Sequence, residues 1–186
     1  MSNSYLTSDG VLIDAGARAD AVLNAARLHG VEVKLVLITH YHVDHIRYLA
    51  DIVKATGAKV AAPDAEADVI EGRARPQLPG AMMRLIYLAL RPRPTKVDIR
   101  VRDGDSVMNY RAVWAPGHTP GSTAYVVNDV MFSGDAVVST RGRPSLPSSR
   151  FTLDQGKAEE SFRRLLGLRP RIIYPGHGPP ITQLPQ

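Results

Sequence analysis

Apolar residues in the first third of the chain fall into short runs whose spacing changes from one run to the next. Val11-Leu12-Ile13-Asp14 is an unbroken run of strand length closing at Gly16, and Leu35-Val36-Leu37-Ile38 is a second. Unalternated runs of this kind predict strands buried on both faces. Between them, Ala21, Val22, Ala25 and Ala26 recur at helical spacing over 19–28, with Gly30 as the stop. Ile46, Leu49, Ile52 and Val53 predict one further helix ending near Gly57, and Lys59-Val60-Ala61-Ala62 supplies the next short strand. Strand and helix in alternation imply an α/β layer.

The second half has a different rhythm. Short β-prone segments at 98–101, 106–108, 112–114, 123–127 and 130–132 are broken by Asp-Gly and Asn-Asp turns, which predicts antiparallel pairing. A helix from about Asp154 to Leu166 carries Phe162, Leu165 and Leu166 on one side, and Ile172-Ile173-Tyr174 forms a last strand. Two packed sheets with helices on the outer faces follow, an α/β chain arranged as an αββα sandwich. Residues 63–95 stand apart as an insertion within a single domain spanning 1–186. Its apolar stretch Met82–Leu90 predicts a helix packed on the body of the domain, with a lid over the site or a dimer surface as the alternatives.

Composition narrows the chemistry. With 186 residues, 44% of them apolar and 22% charged, the chain can bury a full core. It contains no cysteine, which excludes disulfides, thiolate metal sites and cysteine nucleophiles. No apolar run approaches the roughly 20 residues of a membrane-spanning helix, and the first residues lack the basic and apolar regions of a signal peptide. The expectation is a cytoplasmic protein with no membrane partner. A net charge of +5 is compatible with nucleic acid, but the arginines are scattered and aromatics make up only 6%, so a small-molecule substrate is the better expectation.

Histidine is concentrated in a few places. Thr39-His40-Tyr41-His42-Val43-Asp44-His45 packs four potential ligands into six positions directly after an apolar strand. Imidazole nitrogen and carboxylate oxygen suit zinc, iron and manganese. Pro116-Gly117-His118, Ser133-Gly134-Asp135 and Pro175-Gly176-His177 each add one ligand from a Gly-bearing turn after a strand, and of the six histidines only His29 lies outside these segments. The resulting seven side chains exceed what one tetrahedral ion can use, so two divalent ions are expected, zinc first, iron or manganese otherwise.

In order and spacing, these four motifs resemble the metallo-β-lactamase superfamily, nearest to its glyoxalase II and lactonase branch. The resemblance runs from about Asn3 to Pro180. It implies that His40, His42 and His118 hold one ion, that Asp44, His45 and His177 hold the other, and that Asp135 bridges them. Asp44 and Asp135 are then the candidate catalytic carboxylates, Asp44 serving as a proton acceptor if only one ion is bound. The implied activity is metal-dependent hydrolysis of a small ester, thioester or lactone. Glyoxalase II enzymes extend past the last histidine with a helical region that helps hold glutathione, whereas eight residues follow Gly178, so a substrate other than a glutathione thioester is expected.

Two other activities fit the same motifs: a mononuclear iron dioxygenase acting on a persulfide, and a phosphodiesterase or nuclease. Around the site, Asp14 is expected to form a turn or support a ligand, Tyr41 to pack, or else to line the pocket or donate a proton to a leaving group, and His29 to sit at an exposed helix end. Arg141 and Arg143 belong to a solvated basic loop or meet a substrate anion.

Overall fold

The computed structural model describes residues 2–183. In chain order its elements are β1 (Tyr5–Leu6), β2 (Val11–Ile13), α1 (Ala19–Leu28), β3 (Leu35–Leu37), α2 (Val43–Ile46), α3 (Leu49–Thr56), β4 (Lys59–Pro63), α4 (Asp64–Ile70), α5 (Gly80–Ala89) and β5 (Ile99–Val101). There follow β6 (Ser106–Val107), β7 (Tyr110–Trp114), β8 (Thr123–Val127), β9 (Val130–Gly134), β10 (Val138–Thr140), β11 (Arg143–Ser145), a 3₁₀ turn at Ser149–Phe151, α6 (Gln155–Gly167) and β12 (Ile172–Pro175).

The strands form two five-stranded mixed sheets, ordered β1-β2-β3-β4-β5 and β12-β9-β8-β7-β6, plus the β10-β11 hairpin. In the first sheet, β2 to β5 run parallel and only β1 is antiparallel; in the second, only β12 and β9 are parallel. Side-chain alternation then sorts the apolar residues into layers. Leu12, Val36, Val60 and Ala62 join Val22, Ala26, Leu49 and Ile52 in the core under α1 and α3. Their neighbours Val11, Ile13, Leu35, Leu37 and Ala61 turn to the other face and meet Ala112, Tyr125 and Phe132 of the second sheet. On that sheet's far side Val113, Ala124, Met131 and Ile173 pack with Leu165 of α6. The expected αββα sandwich is the observed architecture, because the apolar runs are long enough to have two inward faces.

Three local differences from the sequence expectation bear on the site. The helix expected over Ile46 to Gly57 is broken at Arg47-Tyr48: Tyr48 N–H donates to Ala15 O at 3.0 Å, and Ala15 N–H donates to His45 O at 2.7 Å. The turn after β2 thus takes backbone groups that a continuous helix would use internally. Residues 64–70, expected to start an insertion, form α4, which buries Glu66, Ala67, Val69 and Ile70 against the first sheet. The Arg141–Arg143 segment is a hairpin turn instead of a loop, with Arg141 and Gly142 both at left-handed φ, the geometry of a tight two-residue connection.

Helix α5 is not packed into the body as expected. Met83 is its one buried residue, whereas Leu85 and Leu88 are 67% and 72% exposed. No helix among the described residues is long and apolar enough to cross a membrane.

Candidate metal centre

β3, β7, β9 and β12 all end on one edge of the sandwich, where the two sheets lean together. Thr123 N–H donates to Thr39 O at 3.1 Å, and Tyr125 Oη donates to Ile38 O at 2.9 Å. Each strand delivers a candidate ligand within a few residues of that edge: His40 after β3, His118 after β7, Asp135 after β9 and His177 after β12. α2 begins directly after His42 and places Asp44 and His45 one residue apart on its single turn.

All seven ligand candidates converge. Three overlapping groups, His40-His42-His118, His40-His45-Asp135 and Asp44-His45-His177, each keep their ligand atoms within 4.8 Å of one another. Asp135 stands between the outer groups, 3.3 Å from His118 Nε2 and 3.4 Å from both His45 Nε2 and His177 Nε2. Asp44 Oδ2 lies 3.1 Å from His177 Nε2.

The far sides of the rings are anchored. His45 Nδ1 lies 2.7 Å from Asp14 Oδ2, His40 Nδ1 lies 3.0 Å from Thr39 Oγ1, and His118 Nδ1 lies 3.3 Å from Thr152 Oγ1. The near sides are not: Nε2 of His40, His42, His45 and His118, together with Asp135 Oδ1, are buried without a hydrogen-bond partner. An unpartnered buried polar atom costs ~1–3 kcal/mol. Five converging on one point, all good metal donors, fit bound divalent cations.

Electrostatics separates the two halves. Burial pushes His40 well below its ordinary value, His42 down to about 3, and His118 down as well, so these rings are neutral, as metal ligands must be. His45 moves the other way: burial opposes its charge, but the carboxylates of Asp135 and Asp14 outweigh it and hold the ring well above its usual range. Hydrogen bonds to Asp135 and Asp44 raise His177 to about 9. For the carboxyls, burial pushes upward but loses. His177, by hydrogen bond, and His45 by charge bring Asp44 to about 2, and chiefly the charge of His45 holds Asp135 far below the carboxylate range. Without metal, the Asp44-His45-His177 half is therefore a set of proton-bearing imidazoles among carboxylates.

The structure also shows supports that the motifs do not announce. Glu66 of α4 is fully buried and ties two ligand loops together: Oε2 accepts from Tyr41 N–H at 2.8 Å, while Oε1 accepts from Thr119 Oγ1 at 2.9 Å and Gly121 N–H at 2.6 Å. Burial raises its carboxyl to about 7 against these hydrogen bonds. A Cβ on Gly121 would sit 2.5 Å from Glu66 Oε1, so the close approach requires glycine there. The readable signal was an acidic residue on the apolar face formed by Ala67, Val69 and Ile70. The N-terminal strand clamps the last ligand loop, with Asn3 Nδ2 donating to Gly178 O at 2.8 Å and Tyr5 Oη to Pro175 O at 2.8 Å.

A cavity of about 620 Å³ opens over the centre. His42, Asp44, His118, Asp135 and His177 form its polar end, and its walls are mostly apolar. Tyr41 is buried and bonded to Gln77 O, so it packs and does not line this space. Arg141 and Arg143 are exposed on the hairpin and do not line it either, and His29 caps α1 at the surface. Asp14 supports His45 instead of joining the ligand groups.

Comparison with known proteins agrees with this architecture. The profile of the metallo-beta-lactamase superfamily matches residues 1–177. The probable metallo-hydrolase YflN of Bacillus subtilis (strain 168) is 29% identical over 92% of this chain and 76% of its own length. A hydroxyacylglutathione hydrolase of Rhodopseudomonas palustris (strain BisB18) is 32% identical over 73% of this chain, which spans about half, 48%, of that relative. Among solved structures, TTHA1623 in a di-iron-bound form superposes with a TM-score of 0.77 at 28% identity, covering 98% of this chain and 90% of the other.

Proposed function

The chain belongs to the metallo-β-lactamase superfamily, and on that premise we propose that it is a binuclear metal-dependent hydrolase acting on a small ester, thioester or lactone. The convergence of five unpartnered buried donor atoms carries the reading. His40, His42 and His118 would hold one divalent ion, Asp44, His45 and His177 the other, and Asp135, within 3.4 Å of histidines from both halves, would serve the two. Bound ions of this kind bring the pKa of a water toward about 7 and polarise a carbonyl.

The chain's own groups supply the remainder. Asp14 and Thr39 hold His45 and His40 so that Nε2 faces inward. Asp44, half-buried where it lines the cavity, would serve as a ligand with two ions bound, and as a proton acceptor only if a single ion occupied the site. The apolar walls would keep part of the bulk water from the polar end once a substrate fills the cavity, which strengthens each charge interaction there. An acyl substrate is favoured by relatives named hydroxyacylglutathione hydrolase and thioesterase, the latter from Emericella nidulans. Zinc is the first expectation for the metal, with iron as an alternative supported by the di-iron-bound neighbour.

Elemental analysis of the purified protein, followed by a panel of thioesters, lactones and phosphodiesters on the same sample, tests the reading. About two ions per chain with acyl turnover are expected. A single iron with oxygen consumption and no hydrolysis would overturn it in favour of a dioxygenase, and turnover confined to phosphodiesters would replace the acyl substrate.

A further inference from the structure

The walls of the cavity carry information about the substrate beyond the reaction class. Met83 and Ile86 of α5 and Leu90 just past its end line the cavity together with Leu146, Pro147 and Phe151 from the segment after β11. These two apolar walls enclose a volume within the range of small-molecule sites, with the ligand cluster at one end. Among the lining residues there is a single lysine or arginine: Arg47, at the break between α2 and α3. Its guanidinium lies 5.5 Å from the centre of the Tyr48 ring and has no carboxylate partner among the described residues, so of the unpaired arginines it is the one placed at the cavity. The break that leaves Arg47 at the cavity comes from the hydrogen bonds of His45 and Tyr48 to Ala15.

We propose that the substrate is an amphiphilic acyl compound, with an apolar body lying between α5 and the Leu146–Phe151 segment and one carboxylate, remote from the scissile bond, recognised by Arg47. The inference rests on the hydrolase reading. Guanidinium presents a planar fork that matches a carboxylate in two parallel hydrogen bonds. One unpaired guanidinium balances one negative charge, which favours a carboxylate over a phosphate dianion, and no second lysine or arginine lines the cavity. Arg47 would act on binding and selectivity, as a specificity residue and not a catalytic one.

A matched pair of esters tests this: 4-nitrophenyl octanoate and the 4-nitrophenyl monoester of octanedioic acid, with an 8-phosphonooctanoate ester as the third arm, each assayed on the metal-loaded native protein and on R47M and R47K. Because Arg47 is exposed at the mouth, the expected preference in kcat/KM for the carboxylate ester over the neutral one is about tenfold. It should fall to about one in R47M and survive in part in R47K, expressed in KM and not in kcat. Turnover of all esters with the same ratio in native and R47M protein overturns the proposal and leaves the hydrolase reading standing; preference for the phosphonate overturns the choice of carboxylate. If none of these esters is hydrolysed, the thioester and lactone panel still decides the hydrolase reading, and calorimetric binding of octanedioic acid decides the role of Arg47 by itself: weaker binding to R47M than to native protein supports it, equal binding refutes it.

Discussion

Asp14 Oδ2 and His45 Nδ1 stand 2.7 Å apart, a contact between the turn after β2 and α2, which carries two of the candidate ligands. A carboxylate only accepts, so this contact makes Nδ1 the donor and turns Nε2 toward the centre, where it can bind a metal once its own proton leaves. The same carboxylate accepts from Thr39 N–H and Thr39 Oγ1, both at 2.8 Å, so it fixes α2 and the end of β3 together. Asp14 itself sits at φ +59°, a left-handed conformation that aspartate and asparagine tolerate better than most residues.

Asp14→Asn should therefore keep the backbone but lose acceptor capacity. Loss of a hydrogen-bond partner behind a metal-ligating histidine typically weakens metal binding about 10–100-fold. Competition with a chromophoric chelator should show that drop for the weaker-held ion, and unchanged affinity would refute the orienting role of Asp14.

Asp135 and His177 should separate by stoichiometry. Asp135 approaches histidines of both halves, whereas His177 belongs to one. After dialysis, Asp135→Asn should retain well under one ion per chain, and His177→Ala about one. Equal retention by the two variants would contradict the assigned division.

Metal uptake should release protons. His177 is held at about 9 by Asp135 and Asp44, so at pH 7 it carries a proton that a metal must displace. Apparent affinity should rise as pH increases toward about 9 and fall below it. Calorimetric titration of metal into the chelator-treated protein, in two buffers of different ionisation enthalpy, should give different heats; identical heats would mean no proton leaves.

Glu66 gives a stability signature of defined sign. Burial lifts its folded-state pKa to about 7, above the ordinary 4.5, so its contribution is fully present below about 4.5 and is lost as pH rises through about 7. Urea unfolding of the metal-free protein at pH 5 and pH 8 should show the native chain losing stability relative to Glu66→Gln over that interval. The variant carries a constant cost of ~1–3 kcal/mol, since its amide nitrogen would face Tyr41 N–H. Parallel pH profiles would refute the linkage.

Gly176 is needed for space and not for backbone freedom. A Cβ there would overlap Asp135 Oδ1 and lie 2.7 Å from His45 Cε1. Gly176→Ala should displace Asp135 and cost on the order of 100-fold in kcat/KM, about 3 kcal/mol of misplaced geometry, while thermal unfolding of the metal-free protein changes far less. Near-native activity would show that the loop yields without moving the carboxylate.

The seven candidate ligands could be picked out of the sequence because each belongs to a short motif that follows a strand, and residue type alone says that imidazole and carboxylate in such density suit metal; the fold brings all seven together. The αββα layering was legible for a related reason: unalternated runs such as Val11–Ile13 and Leu35–Ile38 need cover on both faces. What tertiary structure decided are the contacts between residues far apart in the chain. Glu66 looks like an acidic residue at the start of an ordinary helix until its packing brings it to Tyr41 and Gly121, 25 and 55 residues away. The largely exposed α5 presents Met83 and Ile86 to the cavity, a placement that periodicity does not encode. Arg47, not Arg141 or Arg143, reaches the cavity because Ala15 takes two backbone hydrogen bonds and breaks a helix that local spacing would have continued. Local pattern specifies which chemistry the chain carries; long-range hydrogen bonding and packing specify which groups surround it.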